Sequence, residues 1–98
     1  MAVLRIDRFT AKPEHTDELL RRRNALVGAV RSAAPGLREA RLVRVDDQTW
    51  IDMWLWDSSA SAKRAAERAQ SGGIPEAAAA FELATDVTTE FTDVVDER

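Results

Sequence analysis

Large apolar side chains gather most heavily in the stretch Thr49-Trp50-Ile51-Asp52-Met53-Trp54-Leu55-Trp56-Asp57-Ser58, which holds all three tryptophans of the chain. An extended chain turns successive side chains to opposite faces, so Trp50, Asp52, Trp54 and Trp56 share one face and Thr49, Ile51, Met53 and Leu55 the other. Both faces are heavy, which predicts a central strand covered on two sides. Each indole buries roughly 150–250 Å², several kcal/mol per ring at about 25 cal/mol per Å² before the cost of ordering it. Asp52 sits in the middle of that burial, and Asp57-Ser58 end the strand with residues that cap helices.

The same pattern divides the rest of the chain. Ala2 to Thr10 alternates as a first strand, with Val3, Arg5, Asp7 and Phe9 on one side and Leu4, Ile6 and Arg8 on the other. Pro13 opens a helix predicted to run to Ala33, with Glu14, Asp17 and Glu18 near its positive end. Its apolar stripe is Leu19, Leu20, Leu26, Val27 and Val30. Ala34-Pro35-Gly36 stops it. Leu37 to Val45, the turn Asp46-Asp47-Gln48 and Thr49 to Trp56 read as a hairpin. An alanine-rich helix from Ser59 to Ser71 ends at Gly72-Gly73, Pro75 opens a short helix over Glu76 to Leu83, and threonine-rich Thr85 to Val95 is a fourth strand. The order β-α-β-β-α-β predicts an α+β, ferredoxin-like domain over residues 1–98: a four-stranded antiparallel sheet with helices on one face. Helices on one face leave the other without cover, whether that is the tryptophan row or the row of Ile51, Met53 and Leu55. A second sheet supplies it, so a homodimer packed sheet to sheet is expected.

Composition narrows the function classes. The formal net charge of -3 argues against non-specific nucleic-acid binding, and acidic residues gather in 82–98. There is no cysteine, which excludes a disulfide scaffold and thiol chemistry and fits a reducing cytoplasm. No apolar run approaches the roughly 20 residues needed to cross a membrane, and Met1-Ala2-Val3-Leu4-Arg5 has no signal-peptide core. The single histidine, His15, leaves a metal site without a second nitrogen ligand, so no metal is expected.

A first strand ending in Arg8-Phe9-Thr10-Ala11-Lys12-Pro13, a long helix, Ala34-Pro35-Gly36 and a strand closing on Trp56-Asp57-Ser58 together resemble the antibiotic biosynthesis monooxygenase family, over residues 3–95. The resemblance implies a dimeric α/β barrel with a site between helices and sheet in each subunit. It implies one of three activities: oxidation of polyketide anthrones by molecular oxygen without metal or flavin, heme binding and degradation, or none assigned. Trp56 matches the family's pocket-lining tryptophan. Asp7 falls where heme-degrading relatives carry asparagine, and Ala65-Ala66 stands where they carry the heme-ligating histidine, which argues against heme. Nor is there a tyrosine for tyrosine-dependent anthrone chemistry.

Oxygenation without a cofactor requires an electron-rich ring to be held, deprotonated and stabilised as its anion. Trp54 and Trp56 are suited to stacking on the ring, and Arg23, inside the apolar stripe of the first helix, to stabilising the anion, with Asn24 beside it. Asp7 or Asp52 would act as base if burial raises its pKa. The expected function is a cofactor-independent monooxygenase acting on a small aromatic, anthrone- or quinol-like molecule. The alternative is a dimer that binds a small hydrophobic ligand, or acts as an interaction module, without turnover. In that reading the tryptophans are core, and Arg23 either snorkels to solvent or pairs with Asp7 or Asp52. Arg21-Arg22-Arg23 reads as a solvated helix face.

Overall fold

The computed structural model describes residues 1–98. Strands β1 (Val3–Thr10), β2 (Leu37–Arg44), β3 (Thr49–Trp56) and β4 (Thr85–Asp93) form one antiparallel sheet in the order β2-β3-β1-β4. Helices α1 (Thr16–Ala33), α2 (Ser59–Gln70) and α3 (Pro75–Phe81) pack over one face. This is the expected α+β ferredoxin-like arrangement. The boundaries of β3 coincide with the alternating tryptophan stretch, because burial switches strictly with each residue along it.

Several edges differ from the sequence reading. Pro13–His15 forms a separate 3₁₀ turn, so α1 begins at Thr16. The fourth strand ends at Asp93 and the last helix at Phe81. Leu20, expected in the apolar stripe, is 47% exposed. The helix buries Leu19, Leu26 and Val30, and one residue past Leu19 the surface has turned about 100° away from the sheet. The run Arg21-Arg22-Arg23 is not uniformly solvated either. Arg22 Nη1 donates to the Ala79 carbonyl at 2.8 Å and to Glu82 Oε2 at 3.2 Å, which fastens the end of α3 to α1.

The helical layer is seated by local contacts. Ser58 Oγ accepts from the Ser61 backbone N–H at 3.2 Å and caps α2. Gly36, at φ +106°, approaches so closely that a Cβ there would lie 2.6 Å from Ser61 Oγ. Arg68 Nη1 donates to the Ala33 carbonyl at 2.8 Å and satisfies the end of α1. Alanines at 62 and 65 let α2 lie close on Trp54 and Trp56.

The buried apolar residues fall into two clusters, one around Trp54, Trp56, Val3, Val30 and Ile74, the other around Phe9, Leu19 and Trp50. Asp52 lies between Trp50 and Trp54 on the inward face of β3, and Asp7 holds the matching position on β1. The two carboxylates are the polar break between the clusters. On the other sheet face Leu4, Ile6, Ile51, Met53 and Leu55 are half-buried, with no second layer from the same chain. No helix is long and apolar enough to cross a membrane.

A candidate active site between the sheet and the helices

Asp7 and Asp52 are both buried, at 4% and 9% exposure. An ionised carboxylate in such surroundings needs a cation or several donors. Asp52 has Arg23, whose Nη2 donates to Oδ1 at 2.9 Å and whose Nε lies 3.2 Å from each carboxylate oxygen. The guanidinium carbon also sits 5.6 Å from the centre of the Trp54 ring, a cation–π distance. Of the pairings open to Arg23, the fold selects Asp52. Asp7 is served by Arg5, with Nε 3.1 Å from Oδ2, and by Thr89, whose hydroxyl donates to Oδ1 at 2.6 Å.

Burial pushes the Asp52 carboxyl above the ordinary aspartate value, and the charge of Asp7 pushes the same way. The Arg23 hydrogen bonds and charge, and a hydrogen bond from the Trp54 side chain, oppose that rise without cancelling it. A raised carboxylate is a stronger base than an exposed one, which suits it to remove a proton.

Both aspartates face a cavity of about 70 Å³. Its polar wall is Arg5, Asp7 and Asp52; its apolar wall is Trp54, Trp56 and the alanines of α2. The volume admits several waters or dioxygen, since a single water needs roughly 10–15 Å³. A smaller space of about 30 Å³ adjoins it, lined by Arg23, Phe9 and Phe81, and Asp52 lines both. Outside lies a groove of about 430 Å³ that shares Arg5, Ala66, Ala69, Ala77 and Phe81 with the cavity, so Phe81 and Arg5 mark its mouth. Trp56 is 3% exposed, and its indole Nε1 has no hydrogen-bond acceptor in the protein. It is a buried, unpaired donor on a residue that lines the cavity.

Of the residues singled out from sequence, Asp7, Asp52, Trp54 and Trp56 line the cavity and Arg23 stands behind Asp52. Asn24 is not brought to the site. It is exposed on α1, because the step of about 100° from Arg23 carries it off the sheet-facing side. Sequence reasoning missed Arg5, Thr89 and Phe81 as site residues. The signal for Arg5 was present, since it alternates with Asp7 and Phe9 on the inward side of β1. No cluster of three or more His, Cys, Asp or Glu side chains converges in the chain. Ala65 and Ala66 line the cavity, and neither offers a ligand to iron.

The model of the family described as antibiotic biosynthesis monooxygenase matches residues 2–73, which include Arg5, Asp7, Arg23, Asp52, Trp54 and Trp56. No curated relative matches the sequence. Among solved structures, SnoaB, a cofactor-independent oxygenase from Streptomyces nogalater, is similar at 22% identity and TM-score 0.70, over 98% of this chain and 95% of that one. Rv0793 from Mycobacterium tuberculosis is similar at 22% identity and TM-score 0.74, over 99% and 98%. A dimeric ferredoxin-like protein from an uncultured marine organism is similar at 16% identity and TM-score 0.72, over 99% and 90%. At these identities the structural likenesses establish the fold. The match over most of the sequence establishes the family: the chain belongs to the antibiotic biosynthesis monooxygenases.

Proposed function

We propose that the protein is a cofactor-independent monooxygenase that converts an aromatic enol or phenol of the anthrone or quinol type to the quinone. The observation that carries this reading is Asp52, a carboxyl raised by burial, held by Arg23 and facing a cavity walled by indoles. Asp52 takes the proton from the activated carbon or hydroxyl, and the resulting anion is the electron donor. Trp54 and Trp56 wall the cavity that the reactive edge of the ring enters, and the unpaired Trp56 N–H is the donor offered to the oxygen on which negative charge grows. Oxygen adds to the carbanion to give a hydroperoxide, which loses water to leave a carbonyl. In an anthrone one CH₂ and one O₂ thus become one C=O and one H₂O, a phenol or quinol with an unsubstituted ring carbon balances the same way through its keto tautomer, and neither metal nor flavin enters.

Arg23 acts here through Asp52, as the group that fixes the carboxylate, and Asp7 is the second carboxylate of the site. Asn24 takes no part. A tricyclic ring is too large for the cavity, so the ring occupies the outer groove with its reactive edge turned inward past Phe81. The test is oxygen uptake with an anthrone under metal chelation, comparing the parent with Asp52→Asn. A parent that consumes no oxygen with any such substrate overturns the reading. The small volume supports a second one, the binding of a small hydrophobic molecule without turnover, and the same assay separates the two.

The functional unit we propose is a homodimer joined through the open sheet face, with Ile51, Met53 and Leu55 against their counterparts. A stable contact there buries more than about 1,000 Å² in total. The likeness to a dimeric ferredoxin-like protein supports it, and a monomer in light scattering at micromolar concentration would contradict it. The lack of cysteine suits a reducing cytoplasm, where we place the protein.

A further inference from the structure

We propose that Arg5 selects substrates carrying an anionic group, a carboxylate above all, on the aromatic ring. The proposal rests on the site described above and adds a specificity to it. Arg5 lines both the cavity and the groove outside it, and it is the only charged residue lining the groove. The remaining groove wall is alanine, the rings of Phe81 and Phe91, Gln70 and Thr89. An apolar, aromatic channel with one cation fits a flat ring bearing one negative charge.

The guanidinium is bracketed rather than buried in a closed pair. On the cavity side Nε lies 3.1 Å from Asp7 Oδ2, and Nε and Nη2 lie 3.4 Å from Oδ1. On the groove side its central carbon is 5.5 Å from the centre of the Phe91 ring. Arg23 holds Asp52 more tightly, at 2.9 to 3.2 Å, and does not line the groove. Nη1 of Arg5 makes no hydrogen bond within the chain, so its donors are free. Asp7 does not depend on Arg5 alone, because the Thr89 hydroxyl donates to it at 2.6 Å. The planar fork of an arginine matches a carboxylate in two-point contact, and the Phe91 ring lies within cation–π distance of it.

Two probes of one shape read the selection out: 2-naphthoate and its neutral isostere 2-naphthamide, titrated against the quenching of tryptophan fluorescence. The parent is expected to bind the naphthoate at least about tenfold more tightly, the usual worth of a charge-assisted contact. Arg5→Met should remove that preference, bringing the ratio of the two affinities to about one. Arg5→Lys, which keeps the charge but loses the fork, should retain part of it. Circular dichroism confirms that each variant is folded. Equal affinity of the parent for the two probes, binding of neither, or an unchanged preference in Arg5→Met overturns the proposal. Binding is read without turnover, so a naphthoate preference in a protein that consumes no oxygen would leave the Arg5 assignment standing and remove only the oxygenase reading.

Discussion

Asp7 and Asp52 stand directly opposite each other across the β1–β3 ladder, two buried carboxylates in register, each with its own arginine. Like charges paired across a sheet repel, and here each carboxylate has its own guanidinium to offset that repulsion. The environments are nevertheless unequal. Asp52 has burial and Asp7 working against its ionised form, with Arg23 and Trp54 opposing them. In the proposed mechanism Asp52 is the proton acceptor.

The shift of Asp52 fixes the sign of one stability trend. Its folded-state pKa lies above the ordinary 3.8, so between those values the folded protein binds more protons than the unfolded one. Its contribution is present in full below the ordinary value and is lost as pH rises through the raised one. Asp46 behaves oppositely. It accepts backbone N–H bonds from Gln48 at 2.9 Å and Thr49 at 2.7 Å, and chiefly the Gln48 bond lowers its pKa. Its contribution is present above the ordinary value and is lost as pH falls through the lowered one. Urea midpoints across roughly pH 3 to 8 should show Asp52→Asn removing a loss on the alkaline side and Asp46→Asn removing one on the acid side. The same sign of change in both variants would contradict the assignment.

Arg23→Met should act on the pH profile as well as on stability. Breaking the pair leaves Asp52 buried without its cation, at a cost of about 3 kcal/mol in chemical denaturation. Arg23 also holds the Asp52 pKa down, so its loss should move the acid limb of the pH–rate profile to higher pH. Arg21 is exposed and reaches only Glu18, and Arg21→Met should change neither. An unmoved acid limb in Arg23→Met would mean that Asp52 is not the titrating base.

Glycine substitutions should sort by what a Cβ meets. Gly36→Ala combines a φ of +106° with a Cβ 2.6 Å from Ser61 Oγ and 2.7 Å from Asp57 Oδ1. It should cost more than about 1 kcal/mol and loosen the start of α2 over Trp56. Gly28, inside α1, has nothing within 4 Å of a built Cβ. Gly28→Ala should therefore stabilise by about 0.5–1 kcal/mol. Thermal melts of the two variants should move in opposite directions, and a shared direction would refute the account of Gly36.

The inward face of β3 was legible because alternation there is strict and its side chains are large, and Asp52 stood out as the polar break among indoles. Arg23 was legible as a cation within an apolar stripe, although its partner was not, since Asp7 and Asp52 are neighbours and only coordinates tell which one it meets. Leu20 and Asn24 were misplaced because each lies beside an inward residue, and helix-face assignment fails at the edge of the buried arc. Arg5 was overlooked because the groove that gives it a role comes from α2, α3, Thr89 and Phe91, all distant in the chain. The Thr89–Asp7 contact depends further on the β1–β4 register, which shifts between Arg8 and Thr10, and no local pattern in the sequence encodes that.

The most direct test of the central claim is turnover of an anthrone under ¹⁸O₂ with metals chelated, followed by mass spectrometry of the quinone. The account predicts one ¹⁸O atom in the new carbonyl, formed well above the spontaneous rate, and an initial rate at least about 100-fold lower in Asp52→Asn, as the loss of a general base demands. A parent no faster than spontaneous oxidation, or an Asp52→Asn variant as fast as the parent, would contradict it.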